Sequence, residues 1–323
     1  MNSLVTVVVA TYNSSGFVAE TLESVSTQSW KEIELIITDD CSSDDTISIC
    51  RSWIDANSQR FVRADILTSE RNLGVPANVN RGLYAAIGEW ICFLAGDDTM
   101  KTDCIENNIS WLRNNPEARV LFSSVDVYRD NFKASNLIRT TPQDPFNRMG
   151  IMAPGRSASS QYRMLLINDR IHYTPSLFLH RETLMSIGGF DERFRLLEDY
   201  PLWLNLTRNG HRLHFMNTVT VNYRQHSRAI NNTGSSFLIN PAYFRSEDFR
   251  RIYTYPYLPA DVRLNQQYCW YISQLFRNKM INRDKPVNRF IFSFLTIYLN
   301  PFKYYIYFRR LLNHDMRNNE FYN

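Results

Sequence analysis

Residues 4–13 read Leu4-Val5-Thr6-Val7-Val8-Val9-Ala10-Thr11-Tyr12-Asn13, an apolar, largely β-branched run that stops abruptly on three polar residues. A short run of this kind is a strand buried on both faces, with its polar residues at the carboxyl end. Met1-Asn2-Ser3 carries no cationic stretch and no small-residue cleavage site follows, so the start of the chain reads as a first strand and not as a secretory signal. The pattern repeats at 34–38, 65–68, 90–94 and 119–123, with amphipathic stretches at 17–27, 44–54, 77–87 and 103–114 between the runs. Strands alternating with helices at this spacing predict an α/β fold, a mostly parallel, Rossmann-like sheet flanked by helices on both faces. Asp44-Asp45 and Asp103 stand where helix starts need acceptors, and Pro76 where a first turn tolerates a missing N–H.

The rest of the composition narrows the class. With 323 residues, 44% of them hydrophobic and 21% charged, the chain can bury a sizeable core and is neither disordered nor fibrous. Its five cysteines (Cys41, Cys50, Cys92, Cys104, Cys269) form no CxxC pair, which argues against a disulfide scaffold or structural zinc and suits a reducing compartment. Net charge is +4, but residues 275–323 alone carry +6, leaving the body at −2. A nucleic-acid binder places its positive charge on the working face, so nucleic acid is excluded as a partner and the basic tail is expected to meet something anionic.

In an open parallel sheet, ligands bind beyond the carboxyl ends of the strands. Four successive runs end there in polar clusters: Thr11-Tyr12-Asn13, Asp39-Asp40, Arg71-Asn72 and Gly96-Asp97-Asp98. Carboxylates against an apolar interior need a cation or donors, and a divalent oxygen-preferring ion, Mg²⁺ or Mn²⁺, is the natural partner for Asp97-Asp98. The plainer alternative is an Asp-rich turn or helix cap, which accounts for Asp44 or Asp45 better than for the pairs that close strands. Residues 129–160, rich in Pro, Gly and Ser, read as a long loop. A second apolar run at 176–179 then leads to Gly188-Gly189-Phe190-Asp191-Glu192, and Glu198-Asp199 opens a helix over 200–208.

Taken in order, Val9-Ala10-Thr11-Tyr12-Asn13, Ile37-Thr38-Asp39-Asp40-Cys41-Ser42, Arg71-Asn72-Leu73-Gly74, Leu94-Ala95-Gly96-Asp97-Asp98, the Gly188–Glu192 motif and Glu198-Asp199-Tyr200-Pro201-Leu202-Trp203 resemble glycosyltransferase family 2, over residues 3 to about 228. The resemblance implies a GT-A fold. It implies that Ala10, Thr11 and Tyr12 lie against the base and ribose of a nucleotide-sugar, that Asp40 with Asp39 bonds the base, and that Arg71 helps to hold the nucleotide. Asp97 stands at the family's metal-binding carboxylate, with Asp98 beside it at the nucleotide and metal. Asp199 matches the general base, with Glu198 as its neighbour, and His226 resembles a histidine that approaches the metal or pyrophosphate. Two positions depart from the pattern: Ala10 replaces a proline, and Ala95 replaces the first acid of the DxD motif.

The implied chemistry is a direct displacement that inverts the anomeric centre. A cation stabilises the leaving nucleoside diphosphate and a carboxylate takes the proton of the attacking hydroxyl. The expected partners are a nucleotide-sugar, uridine-linked by family habit with thymidine the alternative, and an oligosaccharide or lipid-linked glycan such as an O-antigen or capsule precursor. Two rivals are a nucleotide-sugar pyrophosphorylase, which needs a Gly-rich basic loop that 11–16 does not offer, and a catalytically silent scaffold, whose support is Ala95. The absence of GxGxxG also argues against a dinucleotide oxidoreductase.

The domain reading is a GT-A domain at 1–228, with a nucleotide-binding half at about 1–125 and an acceptor-side half at about 126–228, followed by a helical, aromatic-basic region at 229–323. Residues 290–308 hold nine aromatics, bracketed by Arg289, Lys303, Arg309 and Arg310 and interrupted by Asn300-Pro301. Too broken to span a bilayer, residues 289–310 are expected to form two short helices lying on an anionic membrane surface. Together with the family resemblance, this implies a cytoplasmic protein, peripheral on the inner face of a bacterial plasma membrane. The alternative is a helix pair packed in a core or against a partner chain.

Overall fold

The computed structural model describes residues 3–226, 237–240, 243–244, 246–278, 280–313 and 319–322. The chain forms two compact units, Met1–Tyr162 with Arg170–Ala229, and Arg163–Asp169 with Ile230–Asn323. The boundary expected at 228/229 lies outside the described residues.

In the first unit β1 (Val5–Thr11), α1 (Val18–Ser26), β2 (Ile33–Asp39), α2 (Thr46–Asn57), β3 (Arg63–Thr68), α3 (Val75–Ala85) and β4 (Trp90–Ala95) alternate as the sequence pattern requires. There follow β5 (Thr99–Met100), α4 (Cys104–Arg113), β6 (Val120–Arg129), β7 (Leu137–Thr141), α5 (Ala158–Ile167), β8 (Phe178–His180), α6 (Arg181–Ser186), α7 (Asp199–Arg208) and β9 (Leu213–Gln225). The sheet runs β3-β2-β1-β4-β8-β6-β9-β5, with β7 on β6. β3, β2, β1 and β4 pair in parallel. β8 is antiparallel to both β4 and β6, and β9 is parallel to β6. Two antiparallel steps restore direction, so β9 ends at the same edge of the sheet as β1, β2 and β4. The sheet is therefore parallel in its first half and mixed in its second.

β2 is buried at every position and β1 at all but one, which is why both read as continuous apolar runs. Helix α3 lies directly on them: a Cβ on Gly82 would stand 2.4 Å from Val8 Cγ1, so only glycine permits this approach. The 129–160 segment is not loop throughout. Leu137–Thr141 forms β7, an exposed strand whose sequence lacks the alternation that marks a half-buried one.

The second unit holds the end of α5 with α8 (Glu247–Tyr253), α9 (Ala260–Gln274), α10 (Pro286–Ser293), a π-helical turn at Phe294–Tyr298, and α11 (Pro301–Leu312). Its core is Ile239, Phe244 and Phe276, with Ile272, Phe292 and Leu295 packed against them. Asn282 clasps Ile239 by accepting its N–H (2.8 Å) and donating to its carbonyl (2.7 Å). Asn300 is fully buried and starts α11: its side-chain oxygen accepts from the N–H groups of Phe302 and Lys303, while its amide donates to Asn265. The Asn300-Pro301 interruption is thus a built cap. Among the described residues no helix is long and apolar enough to cross a membrane.

Candidate active site

The carboxyl edge of the sheet gathers most of the residues singled out from the sequence. Thr11, at the end of β1, is buried and donates to Asp39 Oδ2 at 2.8 Å. Asp39 Oδ1 also accepts the N–H of Ser42 at 2.8 Å, and its Oδ2 takes the Ser42 hydroxyl. Asp40 accepts from Leu73 N at 2.9 Å and Gly74 N at 2.7 Å. Both carboxylates are buried and engaged by protein donors. The open groups at this edge are different: Tyr12 is 47% exposed, Arg71 is exposed, and Ala10 sits in register with Ala95, itself exposed, on the neighbouring strand. Asp44 closes the turn before α2 by accepting from Thr46 N (3.0 Å) and Ser15 N (3.1 Å). Against a burial cost, hydrogen bonds from Thr46 and Ser15 draw its pKa down to about 2, the behaviour of a structural turn acid.

Asp97 and Asp98 follow β4 and part company. Asp97 stays partly open, and its Oδ2 lies 3.0 Å from His226 Nε2 at the end of β9. Asp98 is 1% exposed and accepts the backbone N–H of Arg224 at 2.8 Å. Burial, then the adjacent Asp97 charge, push its pKa well above the usual carboxylate range, opposed by the N–H and charge of Arg224.

Arg224 is the hub that the sequence did not mark. Only 3% exposed, it donates through Nε to Asp97 O (2.7 Å), through Nη1 to Asp130 O (2.8 Å) and through Nη2 to Glu20. Its guanidinium also lies over the rings of Phe132 (4.0 Å) and Phe17 (4.8 Å), and Phe17 packs on His226 at 4.5 Å between ring centroids. Asn78 is a second unmarked residue. On α3, it donates to the carbonyls of Thr38 (3.1 Å) and Thr11 (3.3 Å), closing the ends of β1 and β2. No motif signals either one; each becomes visible only when distant segments meet.

Glu198 and Asp199 open α7, both half-buried. Asp199 Oδ1 accepts its neighbour Tyr200 N (2.7 Å), and Oδ2 accepts the hydroxyl of Thr174 (3.2 Å), from the turn just before β8. β8 runs antiparallel, so its beginning, and with it Thr174, falls at the same carboxyl edge. Burial raises the pKa of Asp199, against hydrogen bonds from Tyr200 and Thr174 and the His172 charge. Burial and then the Asp199 charge push Glu198 up to about 7. The two carboxyls therefore titrate as a pair, each holding its proton to a higher pH than an isolated carboxyl would. Among the described residues no cluster of three or more His, Cys, Asp or Glu gathers round one point.

A mixed sheet flanked by helices, with this polar carboxyl edge, is the architecture of a GT-A-type glycosyltransferase. The description "Glycosyl transferase family 2" matches residues 6–176, more than half of the chain, and the protein belongs to that family. TuaG of Bacillus subtilis, named for teichuronic acid biosynthesis, is 30% identical over 235 residues, 72% of this chain and 82% of TuaG. WfaP of Escherichia coli, a UDP-Glc:α-D-GlcNAc-diphosphoundecaprenol β-1,3-glucosyltransferase, is 28% identical over 70% of this chain and 79% of WfaP. Among solved structures, S. aureus TarS 1–349 in complex with UDP-GlcNAc superposes with a TM-score of 0.58 at 18% identity, covering 91% of this chain and 81% of TarS 1–349. That likeness is one of fold.

Proposed function

We propose that the protein transfers a sugar from a UDP-sugar to a hydroxyl of a lipid-linked glycan, with inversion, during assembly of a bacterial surface polysaccharide. The observation that carries this reading is the arrival at one sheet edge of three separate devices: Thr11 bonded to Asp39, Asp97 facing His226, and the Glu198–Asp199 pair. The surface-polysaccharide setting and the lipid-linked acceptor rest on what TuaG and WfaP are named for.

In this reading Ala10, Thr11 and Tyr12 receive base and ribose, and Arg71 contributes charge to the diphosphate. Asp39 and Asp40 act by fixing the walls of the seat, since their oxygens are already bonded to protein. Asp97 and His226 fit a divalent cation: a partly exposed carboxylate and an imidazole nitrogen from different elements lie 3.0 Å apart, a donor pair that would hold Mn²⁺ or Mg²⁺. Such an ion supplies electrostatic stabilisation of the departing diphosphate. Asp98 supports this region by holding Arg224. Asp199, oriented by Thr174, accepts the proton of the attacking hydroxyl, and Glu198, whose pKa is raised to about 7, spares it a full second adjacent charge while it keeps its proton.

Residues 1–228 serve in this proposal as the catalytic domain and 229–323 as an extension that lies on the cytoplasmic leaflet. Phe290, Tyr298, Tyr305, Tyr307 and Phe308 are each more than half exposed, a dense aromatic face suited to the headgroup boundary. Arg289 is paired with Asp284 and Arg309 with Asp261 at 2.7 Å, so the attachment leans on aromatic surface more than on charge. The test is release of UDP from a panel of UDP-sugars with undecaprenyl-diphosphate-linked acceptor, with and without Mn²⁺. Turnover that requires acceptor supports transfer; binding of UDP-sugar without any turnover supports the silent scaffold that Ala95 suggests.

A further inference from the structure

The segment that leads into Glu198-Asp199 is fastened to the loop that carries Arg71. Arg195 donates from Nε to Leu73 O (3.2 Å) and from Nη2 to both Asn72 O (2.7 Å) and Asn72 Oδ1 (2.8 Å). Its own carbonyl accepts Val75 N at 3.0 Å. Gly74 makes this contact possible: at φ +97° it lies against Arg195, and a Cβ there would stand 2.6 Å from Arg195 O. From the other side Asp40 holds the same turn by the N–H groups of Leu73 and Gly74. Further along α3, Asn80 exchanges a pair of bonds with the backbone of Phe190 (2.9 Å each) and donates to Glu192 at 2.8 Å. Residues 190–195 are therefore pinned at both ends to 72–80, three residues before Glu198.

The Arg195 side chain is exposed and bonds to carbonyl oxygens instead of to a carboxylate. Its loss strands no buried charge, so the contact adds little to global stability while fixing one loop against another. We infer that Arg195 is a positioning residue, which holds the Glu198–Asp199 pair in register with the nucleotide loop at Arg71-Asn72. This rests on the reading of Asp199 as the base. A base displaced by about 1 Å loses on the order of 10²-fold in rate, whereas the donor contacts at the end of β1 do not involve Arg195, and the Arg71 loop keeps its hold on Asp40 through the N–H groups of Leu73 and Gly74 when Arg195 is lost.

The test uses the full chain in steady-state transfer assays, with UDP binding by calorimetry and thermal melting in parallel. R195A is expected to lower kcat by ~10–100-fold while the UDP Kd and the melting temperature stay near wild type. R195K, which reaches one carbonyl but lacks the fork, is expected to recover part of kcat. N72A, which removes only the Oδ1 contact, is expected to give a smaller loss that does not add to that of R195A. D199N is the reference. An inactive D199N beside an R195A of wild-type kcat overturns the positioning role and spares the base. Parallel falls in kcat, UDP affinity and melting temperature overturn it as well, since those mark a structural contact. Wild-type turnover in D199N removes the base itself, and this inference with it.

Discussion

At the carboxyl edge of the sheet nearly every charge is consumed by the protein, whereas α10 and α11 leave apolar surface unspent. Asp39, Asp40 and Asp98 are buried under protein donors, and the buried Arg224 has a partner for each arm. Phe290 and Tyr298, by contrast, are 68% and 61% exposed. The difference teaches that polar motifs overstate and aromatic runs understate what a region offers to a ligand. Saturated, fully buried acids build walls, and in the proposed reading the acids that keep some exposure, Asp97, Glu198 and Asp199, are the ones left to meet a substrate. An aromatic run left in solvent has its desolvation still to come.

The largest effect that sharpens this contrast is at the open end of the site. Asp199→Asn should reduce transfer by at least ~10²-fold with UDP affinity preserved, measured by coupled UDP release and calorimetry. Near-normal turnover would falsify the assignment. Next, Asp97→Ala should abolish the Mn²⁺-dependent gain in UDP affinity while leaving metal-free binding intact. Unchanged binding in both conditions would move any ion elsewhere.

The third prediction concerns the tail. Truncation after Lys285 is a poor probe, because Phe292 and Leu295 pack on the Ile239, Phe244 and Phe276 core and Asn300 is buried. Replacing Phe290, Tyr298, Tyr305 and Phe308 by serine removes rings that are each more than half exposed and leaves the Ile239, Phe244 and Phe276 core in place, at the cost of the surface ring contacts with Phe294, Arg309 and Tyr307. It should preserve the melting temperature and lose most of the sedimentation with anionic liposomes. Binding that survives the four changes but vanishes in salt would reverse the balance argued above and make charge the main attachment.

The smallest effect is a pH-dependent one. Glu198 binds its proton more tightly folded (about 7) than at its ordinary value of 4.5, so the folded state loses stability as pH rises through that window. Glu198→Gln keeps a neutral side chain at every pH. It should therefore melt higher than wild type at pH 8, by about 2–4 °C per kcal/mol relieved for a unit of this size, with the gain gone near pH 4.5. An equal shift at both pH values would show packing and not ionisation. In the wild type, kcat should fall as pH drops through the raised pKa of Asp199, the base that must be ionised to take the proton.

The parallel half of the fold was legible because its central strands are buried on both faces and announce themselves locally, as Val5–Thr11 and Ile33–Asp39 do, while the half-exposed edge strand Arg63–Thr68 shows only its apolar end. β7 was not, since Leu137-Ile138-Arg139-Thr140-Thr141 lies exposed and owes its form to pairing with β6. β9 carries a short β-branched stretch, Thr218-Val219-Thr220-Val221, too brief to mark its thirteen residues as a strand. The acids of the site stood out because carboxylates at strand ends are conspicuous in any sequence. Arg224, Arg195 and Asn78 did not, because their partners lie far off in the chain: Asp98 for Arg224, Asn72 for Arg195 and Thr11 for Asn78. What each contributes is an encounter, and no local pattern encodes it.

The burial of Asp98 beneath Arg224 has a consequence for how sequences of this type are sorted. If the second acid of Asp97-Asp98 is a requirement of folding, a descendant that abandons chemistry can discard Asp97 freely yet must keep Asp98, or leave the buried N–H of residue 224 without its acceptor. An inventory that scores the dipeptide as a whole then counts a retired enzyme as half intact. Scored separately, the first aspartate reports the trade and the second only the building.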